Sequence, residues 1–299
     1  MPTLTAYVAN LLISGDEVTH LPNESWVRDI IRFNCNGKEI LFRQNIDVIT
    51  RNFSALIGTV CETTTVEVKD VSIEDCKDTI ETINAICQLL SFATQSRVKC
   101  YGYDFAGGNP IRSREAFTGI ANHFRPVFDF NDTFKIKHFV EQAYPNYIRL
   151  VKDRELHVVF EYLYQADLTT QLYEIRLLSL FIALENLKST FARINNISYE
   201  KGKFRKSKLI NQKIGNPFTF EELLLEIFTS MDMNNNLKEI ILLRNEIIHS
   251  GLSQKLFAEQ FQIYEAIHDL LREYILRLLN YRGTYSPYSS EGMSSANIT

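Results

Sequence analysis

Cysteine is scarce in this chain and poorly placed for cross-linking. Five stand at positions 35, 61, 76, 87 and 100 of 299 residues, an odd number with no C-x-x-C pair and none beyond residue 100. That argues against a disulfide scaffold and a structural zinc site, and fits a reducing cytosol. Long apolar runs are missing too: none reaches the roughly 18–20 residues that span a bilayer. The start, MPTLTAYVANLLISGDEV, has no basic region and only a short apolar stretch, so no signal peptide is expected. There is no excess of positive charge. The net charge of −4 excludes a strongly basic nucleic-acid coat protein, though not a local basic site. No repeat of fixed period is visible.

Several kinds of site are missing as well. His123, His138 and His157 have no nearby Cys or carboxylate at metal-ligand spacing. Gly107-Gly108 lacks the Lys-Ser/Thr and the strand-to-helix setting of a phosphate loop. The carboxylates are scattered, so paired-carboxylate hydrolysis has no support. No metal and no cofactor is expected.

What is present is ordinary for a folded protein: 45% hydrophobic residues and 12% aromatics, enough for one large domain or two smaller ones. The pattern predicts an α+β protein, with a β-rich head over 1–132, a helical body over 133–282 and a frayed tail over 283–299. In the head, DIIRFNC (29–35) and KEILF (38–42) flank Asn36-Gly37. That dipeptide favours a type I′ hairpin, because both central residues need positive φ. TTTVEVKDV (63–71) alternates as a strand does. Ser72 offers an N-cap to a helix over about 73–94, with Ile80, Ile83, Ile86 and Leu90 at helical spacing. Residues 95–132 read as a strand at VKCYGYDF, a turn at GGNP and otherwise irregular chain. From 133 onward helices are expected at 133–142, 146–165, 170–194, 219–231, 235–250 and 255–281. Pro145 is expected to break the first two and Gly251 to stop the fifth. His268 is expected at a surface or interface.

The most informative stretch is LKEIILLRNEIIHSG, residues 237–251. At about 100° per residue, Leu237, Ile240, Ile241, Ile247, Ile248 and Gly251 gather on one arc, with Arg244 in its middle. A guanidinium on an apolar stripe is costly unless it is paired or opens into a polar pocket. Asn245 and His249 are four apart and share a neighbouring face. An imidazole moves protons near neutral pH, and a guanidinium steadies phosphate charge. Together they suit phosphodiester cleavage in which the RNA 2′-OH is the nucleophile and no metal is needed. The same letters also fit a surface cation and a histidine favoured by the helix dipole.

Arg244-Asn245-Glu246-Ile247-Ile248-His249 resembles the R-x4-6-H motif of the HEPN superfamily, including the polar residue after Arg found in its ribonuclease members. LLSLFIALENLKSTF (177–191) is similar to the first long helix of that family, and Glu185 matches the acidic residue that packs toward the motif Arg. The ending RNEIIHSG before another long helix most resembles the ApeA-like branch, over about residues 155–281. The resemblance implies a bundle of four to five helices that dimerises, with two motifs forming one composite site. It implies metal-independent endoribonuclease activity leaving a 2′,3′-cyclic phosphate, in a defence, toxin or abortive-infection setting. Arg244 and His249 would be catalytic, Asn245 orienting and Glu185 supporting. Some relatives keep only RNA, nucleotide or protein binding. Glu185 also fits a solvated flank of its helix.

One basic run stands out in this acidic chain. EKGKFRKSKLINQKIG (200–215) carries Lys201, Lys203, Arg205, Lys206, Lys208 and Lys213, with no acid between 201 and 213. It fits a phosphate-contacting RNA loop, with Phe204 placed to stack on a base, and equally a solvated linker.

Overall fold

The computed structural model describes all residues except 1, 23, 50–55, 108–109, 208–214, 291–293 and 299. The protein is α+β. The chain divides into two compact units, Met1–Ile148 with Leu279–Thr299, and Arg149–Leu278.

The first unit holds an antiparallel sheet of seven strands in the order β2-β3-β4-β5-β1-β6-β7. These are β1 (Leu4–Ala9), β2 (Glu17–His20), β3 (Trp26–Cys35), β4 (Lys38–Gln44), β5 (Glu62–Val68), β6 (Lys99–Phe105) and β7 (Ile111–Arg114). In β1, Leu4, Ala6 and Val8 are fully buried and alternate with half-buried Thr5 and Tyr7. The β3–β4 hairpin turns on Asn36 (φ 55°) and Gly37 (φ 69°), as a type I′ turn requires. The short helix α1 (Ile46–Ile49) follows β4. Helix α2 (Cys76–Thr94) packs on β1 and β6 through a face that includes Ile83, Ile86 and Leu90. Ser72 makes the expected capping contact, its Oγ accepting from the Asp75 N–H at 3.1 Å, but the helix proper begins at Cys76 rather than at about 73. The GGNP turn lies partly outside the described residues.

Helix α3 (Thr133–Leu150) corrects two expectations. Pro145 lies inside it rather than at a break. Buried Ile136, Phe139, Val140, Ala143, Tyr144 and Tyr147 form one stripe across the proline, and that packing outweighs the single backbone hydrogen bond a proline removes. The helix also belongs mainly to the first unit, so the division falls after 148 rather than after 132. The Phe139 ring sits 5.9 Å from Phe92 and 5.0 Å from Phe128.

The expected frayed tail is instead structured over its described residues. Strands β10 (Gly283–Tyr285) and β11 (Ala296–Ile298) pair with each other. Tyr281, Tyr285 and Tyr288 are buried, with Tyr281 against Phe128 (5.4 Å) and Phe139 (5.6 Å). The Ser286 N–H donates to the Val127 carbonyl at 2.9 Å. Spaced tyrosines anchor a segment whose composition otherwise favours disorder.

The second unit contains helices α4 (Leu156–Ala166), α5 (Tyr173–Ile194), α6 (Phe220–Thr229), α7 (Lys238–Ser250) and α8 (Phe257–Leu278). A small hairpin, β8 (Tyr199–Glu200) and β9 (Lys203–Phe204), follows α5. Helix α5 is central and packs on the other four helices; Leu177, Leu180, Leu184 and Leu187 are fully buried. His268 is fully buried, not at a surface. Its ring lies 4.6 Å from Tyr264, and its Nε2 is 3.7 Å from Asp167 Oδ1. Helix α8 is enclosed on most sides, so even Arg272 is buried on it.

Among the described residues no helix is long and apolar enough to cross a membrane, and no group of His, Cys, Asp and Glu could hold a metal. All five cysteines are free. Burial pushes the Cys35 thiol up to about 12 and also raises Cys76, Cys87 and Cys100, which leaves these thiols protonated and unreactive.

Candidate functional site

Helix α7 reaches its site residues from an apolar base. Ile240, Leu243 and Ile247 are its buried residues, at spacings of three and four. Arg244 is next to this stripe and its side chain is only 17% exposed. The guanidinium is held on three sides. Its Nη2 donates to Glu185 Oε1 on α5, and its Nη1 donates to Asn245 Oδ1 at 3.0 Å. Its Cζ lies 4.1 Å from the centre of the Phe220 ring, close enough for a cation–π attraction of about 1–2 kcal/mol when partly desolvated. Arg244 Nε is buried without a partner.

The second Glu185 oxygen accepts from Lys188, whose ammonium is 5.1 Å from the same Phe220 ring. One carboxylate thus bridges two cations, and one ring faces both. Phe220 is held by the start of α6. Thr219 caps that helix: its Oγ1 accepts from the Glu222 N–H at 3.1 Å, while Glu222 Oε2 accepts from the Thr219 N–H at 2.8 Å. This reciprocal capping box fixes the first turn. Lys206 pairs with the other Glu222 oxygen, and chiefly this contact holds the Glu222 carboxyl below its usual range.

His249 is in the last turn of α7 and is exposed. Its ring makes no hydrogen bond, ion pair or ring contact among the described residues. Leu242 (50% exposed) and Ile248 (45%) share the open side of the helix with Asn245 and His249; Ile248 was expected on the buried arc. The chain leaves α7 in a set geometry. Gly251 takes φ 76° and its N–H donates to the Ile247 carbonyl at 2.8 Å. The Glu246 carboxylate accepts from Ser253 Oγ at 2.9 Å and from the Gln254 N–H.

The structure therefore brings Arg244, Asn245 and Glu185 together and leaves His249 outside that contact. The basic run separates into individual roles. Lys201 is at the hairpin turn with φ 52° and is exposed. Lys203 is exposed on β9. Arg205 donates from Nε to the Glu200 carbonyl at 3.0 Å and so braces the hairpin. Lys206 pairs with Glu222, as above. Lys208 and Lys213 lie outside the described residues.

Beside Glu185 opens a cleft of about 920 Å³. Lys188 and Phe220 line one part of it, and Tyr199, Lys203 and Phe204 of the hairpin another. Sequence reasoning missed Lys188, Tyr199 and Phe220. The Thr219–Glu222 spacing was a legible signal for a helix start that would present Phe220. No family profile, curated protein or solved structure matches this chain.

Proposed function

We propose that the helical unit is a metal-independent endoribonuclease of the HEPN type that works as a homodimer. The observation that carries this reading is the Glu185–Arg244 contact with Asn245 alongside. It matches what the R-x4-6-H resemblance implies for these positions. The exposed His249, flanked by exposed Leu242 and Ile248, supports a face that a second copy covers. Two such faces would bring two Arg–His sets to one RNA strand.

In the proposed reaction the 2′-oxygen attacks the adjacent phosphorus as a base, His249, removes its proton. The P–O5′ bond breaks, and the departing 5′-oxygen takes a proton from an acid, for which the second copy's imidazole is available. The products are a 2′,3′-cyclic phosphate and a 5′-hydroxyl. Arg244, held by Glu185, steadies the charge that builds on the phosphate oxygens. Pre-positioning by Glu185 keeps the guanidinium from reorganising during the step. The setting we infer is cytoplasmic defence or toxicity, with RNA as the partner.

The test is RNA cleavage by the purified full chain in excess chelator. Cutting that disappears in His249→Ala and Arg244→Ala, while the dimer persists, supports the proposal. Cutting that survives both substitutions, or that requires added divalent metal, refutes it. A second reading is favoured by one observation: both Nη atoms of Arg244 are already engaged and a large cleft adjoins them. On that reading the unit binds RNA, a nucleotide or a protein without turnover. Growth arrest on expression that His249→Ala relieves separates the two.

A further inference from the structure

The cleft beside Glu185 has features that RNA cleavage at Arg244 and His249 does not use. Its volume of about 920 Å³ lies within the range of small-molecule sites. The hairpin that lines it turns through Lys201 and Gly202, both at positive φ (52° and 74°). In the hairpin register Tyr199 is opposite Phe204, and their rings meet at 4.9 Å and 61°. Tyr199 nevertheless stays 63% exposed. A large ring held by a cross-strand neighbour, with this much of its surface exposed at a cleft, can serve as a stacking platform.

The charges point the same way. Lys203 lies opposite Glu200 in the hairpin, yet its ammonium makes no ion pair or hydrogen bond among the described residues. Lys188 adds a second ammonium at the inner part of the cleft. Glu185, the one carboxylate lining the cleft among the described residues, has both oxygens engaged by Arg244 and Lys188. Its negative charge is thereby offset, so it does not repel an anion. A planar ring and lysine side chains lining one cleft suit a ligand that joins an aromatic heterocycle to a phosphate.

We propose that this cleft binds one nucleotide unit, with its base against Tyr199 and its phosphate at Lys203 and Lys188. The proposal goes beyond ribonuclease activity, because it needs neither a second copy nor His249. The unit comes either as a free 5′-nucleotide or as one residue of an RNA strand.

Calorimetric titration of the full chain tests this with three probes: adenosine 5′-monophosphate, inorganic phosphate and a short single-stranded oligoadenylate. The monophosphate or the oligonucleotide is expected to bind at least tenfold more tightly than phosphate. Tyr199→Ala should weaken that binding about tenfold, as expected for one lost base–aromatic stack, and Tyr199→Phe should restore it. Lys203→Ala should weaken it several-fold and flatten its salt dependence. Both side chains are exposed, so unchanged circular dichroism and melting are expected. Tight binding of the monophosphate identifies a free nucleotide as the source, and binding of the oligonucleotide alone identifies RNA. Three results overturn the proposal: no binding of the monophosphate or the oligonucleotide at millimolar concentration, phosphate binding as tightly as both of them, or both alanine variants binding like wild type. His249→Ala should lose cleavage and keep this binding. A wild-type chain that binds the monophosphate but cuts no RNA removes the ribonuclease proposal and leaves this one standing.

Discussion

In the sheet unit some buried polar side chains serve the backbone, whereas in the helical unit a partly exposed set of charged side chains meets at the edge of a cleft. Asn10 is the clearest example of the first kind. Its carboxamide donates to the carbonyls of Gly119 (2.7 Å) and Arg97 (3.2 Å) and accepts from the Cys61 N–H (3.0 Å). His123 Nε2 lies 3.1 Å from the Asn10 carbonyl oxygen. Groups used in this way satisfy loop backbone that would otherwise be buried without partners. They hold the fold and have no access to solvent. Glu185, Arg244 and Lys188 instead pair side chain to side chain, are partly exposed, and adjoin a cleft. Side chains of the second kind remain accessible to a ligand; those of the first kind do not.

Four measurements break or sharpen this contrast. The largest effect is expected for His249→Ala, which should lower RNA cleavage by about 10³-fold, the scale of a lost general acid or base. Its urea midpoint should not move, because the ring is exposed and makes no contact among the described residues. Asn10→Ala should do the opposite. It removes three hydrogen bonds, one buried and two part-buried, and places Ala at φ 64°, so a loss of roughly 4 kcal/mol in urea unfolding is expected, with cleavage per folded molecule unchanged.

A pH effect comes next. Burial holds His123 down to about 4, against an ordinary value near 6.5. As pH falls, the unfolded chain takes up this proton first. The stabilisation is complete above pH ~6.5 and is lost progressively towards pH 4, by roughly 3 kcal/mol in all. Urea unfolding of wild type and His123→Gln at pH 7 and pH 4.5 checks this: the variant should lose less stability between the two. An equal loss in both would remove His123 from the account. The smallest effect is expected for Glu185→Gln. The pair it weakens is partly solvated, so the stability cost should be about 1 kcal/mol. Cleavage should fall about tenfold as Arg244 loses its anchor. A full-rate Glu185→Gln would mean that the guanidinium needs no carboxylate to hold it.

The elements that were legible are those specified locally. Asn36-Gly37 dictates its hairpin through the φ values that two residues tolerate. Gly251 ends α7 for the same reason. The apolar period of α7 put Arg244 in the middle of the apolar arc, whereas the structure sets it next to the buried stripe, where Glu185, the residue that the resemblance paired with it, accepts from its guanidinium. Other elements were illegible for equally physical reasons. Strand β1 occupies the middle of the sheet, yet its alternation covers only six residues and runs into the apolar Leu11-Leu12-Ile13. Pro145 is tolerated because the helix that contains it is held by a stripe of side chains on both sides of it. His268 looks exposed beside Asp269, but its surroundings are set by α4–α5 residues such as Asp167, distant in sequence. The basic run appears uniform in the sequence. In space Arg205 braces a hairpin, Lys206 pairs with a helix cap and the Lys203 ammonium has no partner among the described residues.

Periodicity, turn chemistry and charge counts, each a property of neighbouring residues, were enough to determine an α+β chain whose C-terminal half is helical, and to single out Arg244 and His249. The tertiary structure alone decided which of the cations are already paired, that Phe220 faces two of them, and that Tyr199 and Lys203 border an open cleft. These outcomes depend on contacts between residues far apart in the chain. Such contacts are set by how whole helices pack, and no local pattern encodes them.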